Sequence, residues 1–389
     1  MARLIGVRAA SVRHALTALL TALLGVAAPL VAQQSTAPVT LQDSLRADSV
    51  ARAARVPDSR LGAPLIAPGI TYAPETRLAV GLGVLAITEE RRFGQRPDAY
   101  GANILVTQNG QFVLAGSVDA WTRDNKLRVE SDLSFVRFPN RYFGLGLATP
   151  STGEKYTPTT VRGSVTVQRA VKRGWYLGVR AGGDYTALSD LDTSGTIRLR
   201  PERDGWHLLT LGVQGTRDTR DRVYGPRHGS VFTLAATQSP RALGSEFGFV
   251  RYLVDVREYV PLASFATMAV QARGEHVAGT APFERLPSLG GADLLRGYFA
   301  GRFRGESLAL AQGELRLGPF RELVGVTLFG AAGAVGPDLT TLRYATYRRA
   351  GGGGVRLILN PQTGLAFRVD YGVGENGSRG WYITVGEAF

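Results

Sequence analysis

The chain has 389 residues, 45 Lys and Arg against 32 Asp and Glu, a formal net charge of +13 and no cysteine. Without cysteine no disulfide can stabilise the fold, so an exported chain of this kind must be held together by other interactions. The basic residues are spread along the sequence and form no single stripe, so we expect no nucleic-acid partner.

The first segment, residues 1–32, has a basic start, an apolar middle and small residues at its end. This layout predicts a secretory signal peptide, although Leu30 fits poorly three residues before a cut after Ala32, which leaves the cleavage bond open. The next segment, residues 33–62, is polar and rich in Ala, Arg, Asp and Ser. We interpret it as a periplasmic leader, either a short helix or a disordered tail.

From residue 63 to the last residue, apolar and polar side chains alternate with the period of a β-strand. One face often carries both signs of charge, as at Arg128, Glu130 and Asp132, which suits a wet lumen better than a dry core. We count about sixteen such segments, within the range of single-chain membrane barrels. Their predicted spans are 66–73, 77–88, 100–108, 111–122, 126–136, 158–169, 174–185, 207–216, 229–238, 246–258, 264–276, 306–317, 323–335, 351–360, 363–373 and 380–389.

The connections between these segments alternate in length. If the chain enters from the periplasm, the long connections 137–157, 186–206, 277–305 and 336–350 fall on the outer side. Short inner turns and long outer loops are typical of outer-membrane barrels. The sequence therefore predicts an all-β protein, a transmembrane antiparallel β-barrel of about sixteen strands in contact with outer-membrane lipid.

Three motifs follow one another in an order that resembles the BamA/TamA family, also called bacterial surface antigen barrels. They are Phe138-Pro139 with Tyr142-Phe143-Gly144, Asp218-Thr219-Arg220-Asp221 with Pro226 and Gly229, and Leu289-Gly290-Gly291 with Arg296-Gly297-Tyr298. The resemblance covers about residues 68–389. We expect the periplasmic repeat domains of the family to be missing from this variant.

The resemblance implies that the loop carrying Arg296, Gly297 and Tyr298, the sixth outer loop, folds into the lumen. The arginine would then pair with inward carboxylates, because an unpaired buried charge is very costly. Glu314 is the first expected partner. Ala331 stands where the family has a second acidic residue, and Asp370 is a candidate to replace it. The alternative is an ordinary Arg-Gly turn exposed to solvent.

The last segment ends in residues that resemble the signal recognised by the barrel-assembly machinery. From their spacing we expect Trp381, Ile383, Val385 and Phe389 to face lipid, with Tyr382 between them.

The resemblance implies a function in outer-membrane protein assembly or translocation, through a weakly paired seam between the first and last strands. The implied partners are client outer-membrane proteins or a separate periplasmic protein. The alternative is a passive pore or a structural barrel. Catalytic and metal-ligand motifs are lacking, so we expect no enzyme activity, no cofactor and no metal.

Overall fold

The computed structural model describes residues 65–87, 98–122, 125–172, 174–222, 225–343, 346–360 and 364–389. The predicted signal peptide, 1–32, and the predicted leader, 33–62, lie outside the described residues.

Sixteen long strands form the wall of one antiparallel barrel, which confirms the predicted fold. Each strand pairs with the next along the chain, and the first strand closes the ring by pairing with the last. The strands are β1 (Leu65–Ala73), β2 (Arg77–Ile87), β3 (Ala99–Thr107), β4 (Phe112–Trp121), β5 (Leu127–Arg137), β7 (Glu154–Lys172), β8 (Trp175–Ser189), β9 (Trp206–Asp218), β10 (Gly229–Ser239), β11 (Phe249–Ala263), β12 (Ala266–Gly279), β15 (Ser307–Phe320), β16 (Val324–Gly336), β17 (Arg348–Asn360), β18 (Leu365–Gly374) and β19 (Arg379–Val385).

The remaining elements lie in the connections. Three further strands are short. β6 (Asn140–Tyr142) pairs with the first residues of β7, and β13 (Ser288–Leu289) pairs with β14 (Phe303–Arg304). In the described ranges an α-helix spans Leu339–Leu342, and 3₁₀ helices span Thr196–Leu199, Pro201–Asp204, Arg241–Leu243 and Phe283–Arg285. We call the barrel end with the connections 138–153, 190–205, 280–306 and 337–347 the long-loop end, and the opposite end the short-turn end.

No helix in the described part of the chain is long and apolar enough to cross a membrane.

The two faces of the wall have opposite chemistry. Leu133, Val179 and Val213 on the outer face are 63%, 62% and 60% exposed. On the inner face Arg273 and Glu275 are 5% and 3% exposed and form an ion pair. Exposed apolar side chains outside and buried charges inside reverse the pattern of a water-soluble protein. This arrangement is stable when the outer face lies in lipid, where closure of the ring also leaves no unpaired backbone edge.

The end of the chain departs from the sequence prediction. Strand β19 ends at Val385, and Gly386 then adopts a φ of +85°, which turns the following residues toward the lumen. Phe389 is only 6% exposed, so the expectation that it faces lipid is wrong. Trp381 is 53% exposed, on the outer side as predicted, whereas the side chain of Val385 lies outside the described residues.

A basic side chain explains where the last residue goes. The Arg316 side chain on the inner face of β15 donates a hydrogen bond to the Phe389 main-chain oxygen at 2.9 Å. Its guanidinium also lies 5.5 Å from the Phe389 ring and 5.7 Å from the Tyr259 ring. These cation–π and hydrogen-bond contacts hold an aromatic residue inside the barrel that the alternation alone would place outside.

A charge introduced into the outer belt should destabilise the barrel according to its depth. We expect Val179→Arg, among the outward apolar side chains of β8 and away from the strand ends, to lower the free energy of unfolding in lipid vesicles by about 2–4 kcal/mol. Val171→Arg is the matched control, because Val171 is also outward and exposed but lies at the strand end, where the cost is about 0–1 kcal/mol. Urea unfolding with equal losses for both variants would contradict a lipid-facing belt.

Candidate functional site

The connection 280–306, between β12 and β15, is packed against the interior of the wall. Five of its apolar side chains are buried together with three from the neighbouring strands β15 and β16. The cluster consists of Leu289, Leu294, Leu295, Tyr298 and Phe303 with Leu308, Leu310 and Val335. This packing brings the predicted Arg-Gly-Tyr motif onto the inner face of the barrel.

Arg296 is held between two carboxylates. Its guanidinium donates one hydrogen bond to Glu314 on β15 and another to Asp370 on β18. The Phe329 ring on β16 lies beneath the guanidinium, 3.6 Å from its central carbon to the ring centroid. The arginine is 2% exposed, and both carboxylates are fully buried. The structure thus places the arginine in an ion-paired interior site and not in an exposed turn.

Further arginines balance the two carboxylates. Arg316 lies 2.7 Å from Glu314, and Arg356 forms a second ion pair with Asp370. Arg368 lies 3.7 Å from the same Asp370 and 2.9 Å from Asp293, which belongs to the packed connection. Buried ion pairs are favourable only when every charge is compensated, so this alternation of signs is what allows the cluster to exist inside the barrel.

Arg296 therefore has two carboxylate partners, as expected, but the second one comes from a different strand than in the family pattern. Glu314 contacts Arg296 as the resemblance implies, and Asp370 supplies the second carboxylate that is absent at Ala331. Ala331 packs at the edge of the apolar cluster instead. Phe329, two residues earlier on β16, contributes its ring face, which attracts the cation without adding a charge.

Gly297 allows the motif to approach the wall closely. It adopts a φ of +117°, and a Cβ at this position would lie 2.7 Å from the Val373 carbonyl carbon. On the opposite side of the contact, a Cβ at Gly372 would lie 2.7 Å from the Gly297 nitrogen. Two glycines therefore meet backbone to backbone, which any side chain would prevent.

Two tyrosines fasten the motif to the last strands. The Gly297 N–H donates to the Tyr382 hydroxyl at 3.0 Å, and that hydroxyl donates to the Tyr298 carbonyl oxygen at 2.9 Å. The Tyr298 hydroxyl donates to the Arg349 carbonyl oxygen and accepts the Glu375 N–H. Tyr382, which the sequence assigns to the terminal signal, thus faces inward and links β19 to the packed connection, whereas Ile383 pairs with β1.

The sequence did not single out Glu75, in the turn between β1 and β2. The residue is half-buried, but its Oε2 is buried and has no hydrogen-bond partner. Burial raises the pKa of the Glu75 carboxyl to about 7, although a hydrogen bond from the Ala300 N–H partly opposes the shift, and the nearby Asp293 raises it further. The turn between the first two strands therefore contacts the connection 280–306. A lone acidic residue in a short turn gives no sequence signal for such a contact.

Comparison with known proteins identifies the family. A model of the Omp85 superfamily domain matches residues 93–389. The chain belongs to the Omp85 superfamily. No match to it is found among curated proteins.

Solved structures share this Omp85 fold at low sequence identity. BamA from Haemophilus ducreyi lacking POTRA domains 1–3 matches with a TM-score of 0.60 and 15% identity, over 88% of this chain and 77% of that one. CdiB from Acinetobacter baumannii matches with a TM-score of 0.53 and 12% identity, over 85% and 60%. CdiB from Escherichia coli matches with a TM-score of 0.58 and 10% identity, over 82% and 62%. The chain thus spans less than two thirds of the two CdiB chains.

Removing the central cation should destabilise this Omp85 barrel strongly. We expect Arg296→Ala to lower the free energy of unfolding by about 3–5 kcal/mol, because two buried carboxylates lose a shared partner. The temperature at which the heated protein loses its fast-migrating folded band on a gel should fall accordingly. Adding Glu314→Gln should recover part of the loss, because it removes one uncompensated charge.

Arg302→Ala is the control for this experiment. Arg302 lies in the same connection and also makes hydrogen bonds to Thr149 and cation–π contacts with Phe143 and Phe303, but it is half-exposed and forms no ion pair with the described residues. If Arg296→Ala and Arg302→Ala melt at the same temperature, the ion cluster does not hold the connection in place.

The contact of Glu75 should make the barrel more stable in acid. The folded pKa of about 7 lies above 4.5, the ordinary value of a glutamate, so the folded state binds more protons between these values. Stability is therefore greatest below the lower value and falls as the pH rises toward the upper one. We expect the gel-shift temperature to drop between about pH 5 and about pH 8, and Glu75→Gln to remove most of the drop.

Glu322→Gln, in an exposed turn, is the control and should leave this drop in temperature unchanged. A drop that persists in Glu75→Gln would refute the assignment to Glu75.

Proposed function

We propose that this Omp85 protein assembles or translocates outer-membrane proteins through a lateral opening between its first and last strands. The observation that carries the proposal is the pairing at this seam. Among the described residues β1 and β19 share one residue pair, Tyr72 with Ile383. By comparison, β1 pairs with β2 at nine positions and β19 with β18 at seven.

A poorly paired seam exposes backbone donors and acceptors on two strand edges. Such edges are templates for an added strand, whose main-chain hydrogen bonds supply affinity without requiring a particular sequence. Opening this seam breaks few hydrogen bonds, whereas opening any neighbouring pair breaks many. Pro68 within β1 also lacks a backbone N–H, which weakens the pairing that the strand can make.

The ion cluster supports the proposal because it braces the wall beside the seam. Arg296 joins β15 to β18, and Tyr382 joins β19 to the same connection. Across the seam, Glu75 brings the turn of β1 and β2 against this connection. The connection can therefore keep the ring in shape while the edges of β1 and β19 separate.

The proposed location is the bacterial outer membrane, with the long-loop end outward. The proposed partners are client outer-membrane proteins or a separate periplasmic protein. The barrel-assembly machinery is a further proposed partner, which would recognise the last strand before this chain folds. The activity involves no chemical catalysis. A passive pore is less well supported, because the connection 280–306 packs against the inner face of the wall and would narrow a path for ions.

The test is to lock the seam. The chain contains no cysteine, so Tyr72→Cys with Ile383→Cys introduces one defined pair. Directly opposed residues of antiparallel strands lie about 4.5–5.5 Å apart, which a disulfide can span. We expect the purified protein in liposomes to accelerate folding of a radiolabelled client barrel, the oxidised seam variant to lose the acceleration, and reductant to restore it.

Val80→Cys with Val106→Cys is the matched control, because these residues are opposed on β2 and β3 and are also half-exposed. This lock should leave client folding unaffected. Acceleration that survives the oxidised seam lock would rule out the lateral opening. Steady ion conductance in planar bilayers, with no acceleration by any form, would favour a pore.

A further inference from the structure

The outer face of β7 to β10 carries two arginines near the short-turn end. Arg169 on β7 is opposed by Leu177 on β8, which is 52% exposed, while the adjacent Gln168 is 1% exposed and faces the lumen. Trp175 on β8 is opposed by Arg217 on β9. Since side chains alternate between the faces of a strand, Arg169, Trp175 and Arg217 all point outward.

Two aromatic rings lie on either side of Arg217. The Trp175 ring meets the Phe232 ring of β10 at a centroid distance of 6.3 Å. Phe232 is directly opposed to Arg217, so the cation lies in one cross-strand row with both rings. Leu177 and Val179 continue the same face toward the middle of the barrel. Cations beside amphipathic rings, followed by aliphatic side chains, match the order of headgroup, interface and acyl chain in a leaflet.

Among the described residues, no carboxylate forms an ion pair with the positive charges on this face. Arg169 and the exposed Lys172 form no hydrogen bond or ion pair with the described residues. Arg217 donates to a hydroxyl, Ser230 Oγ, at 3.3 Å. At this end of β7 to β10, none of the described outward positions is acidic; Asp218 lies on the inward register and pairs with Arg220.

We propose that this face, defined by Arg169, Trp175 and Arg217, binds the headgroup of an anionic glycerophospholipid in the leaflet at the short-turn end. The Cα atoms of the two arginines lie roughly 12 Å apart, from two strand spacings and a two-residue offset. Two long side chains can therefore reach the phosphate of one headgroup from two sides, and the planar guanidinium suits phosphate oxygens. The continuing apolar face selects a lipid over a free phosphate ion. The site requires only that the barrel lies in a membrane.

The position of this site in the ring gives it a function. Strands β7 to β10 lie on the wall opposite the β1–β19 seam, because they are the sixth to ninth of sixteen strands. β7 and β8 are also long, with 19 and 15 residues, against 9 for β1 and 7 for β19. A bound anionic headgroup would hold this wall at a constant depth in the membrane. The opposite wall, which contains the seam, could then open.

The chain contains its own reporter for this site. Of the four tryptophans, Trp121 and Trp206 are buried at 4% and 2% exposure, whereas Trp175 and Trp381 lie toward the outer face. In a Trp381→Phe background, brominated lipid therefore quenches fluorescence chiefly from Trp175. We would reconstitute the full chain in phosphatidylcholine vesicles and compare quenching by small added amounts of brominated phosphatidylglycerol and brominated phosphatidylcholine.

We expect phosphatidylglycerol to be preferred over phosphatidylcholine. The preference should fall about fivefold for each of Arg169→Gln and Arg217→Gln, since a cation near a membrane surface contributes about 1 kcal/mol. Arg379→Gln is the control, an exposed arginine at the long-loop end. Arg169→Gln alone tests the site if the double variant does not fold, because the Arg169 side chain makes no hydrogen bond or ion pair with the described residues that its loss would break.

Equal quenching by the two lipids, or a preference that survives both substitutions, would overturn the proposal. So would loss of the preference on addition of inorganic phosphate at constant ionic strength, because that would identify an anion site without lipid selectivity. A seam-lock experiment that fails leaves this test unaffected, since lipid preference does not depend on the activity.

Discussion

Compensation of the Arg296 charge is the interaction on which the interior of this barrel depends. A guanidinium that is 2% exposed is held by Glu314, Asp370 and the face of Phe329. Each carboxylate has further arginine partners, so no member can be removed without leaving another charge uncompensated. Because the partners belong to different strands, this one cation fixes the packed connection against β15, β16 and β18. The glycine contact and the two tyrosines can then form at short range.

The same physical rule, that buried charge must be paired, explains the contrast between the two faces of the wall. Inward charges are tolerated because side chains of opposite sign lie next to one another, as Arg273 and Glu275 do along β12. Outward charges are confined to the ends, where headgroups and water replace hydrocarbon. The outward arginines of β7 and β9 lie at such an end, where the proposed anionic headgroup would compensate their charge.

Strand pairing is extensive between β7 and β8 and sparse between β1 and β19, where the ring closes. Long strands on one wall share many pairs, whereas β1 and β19 share a single one among the described residues. The connection 280–306 links the two sides of that closure through Glu75 and Tyr382. An opening seam would therefore act on the Arg296 cluster, and the cluster would limit how far the seam can open. This coupling connects the interior site to the proposed function.

The sequence by itself determined the barrel, the number of strands and their approximate positions, because the period of two is a local property of neighbouring side chains. Strand ends such as those of β7, β8 and β11 extend up to five residues beyond the predicted spans. It also pointed to Arg296, with Glu314 as its partner, through a short motif and an alternation. Only the tertiary structure decided the rest. Asp370 lies 74 residues from Arg296 along the chain, and Glu75 meets a connection more than 200 residues away. The inward turn of Phe389 depends on Gly386 and on an arginine of β15. These contacts arise when the ring closes, since closure brings together charges and rings whose separation along the chain carries no periodic signal.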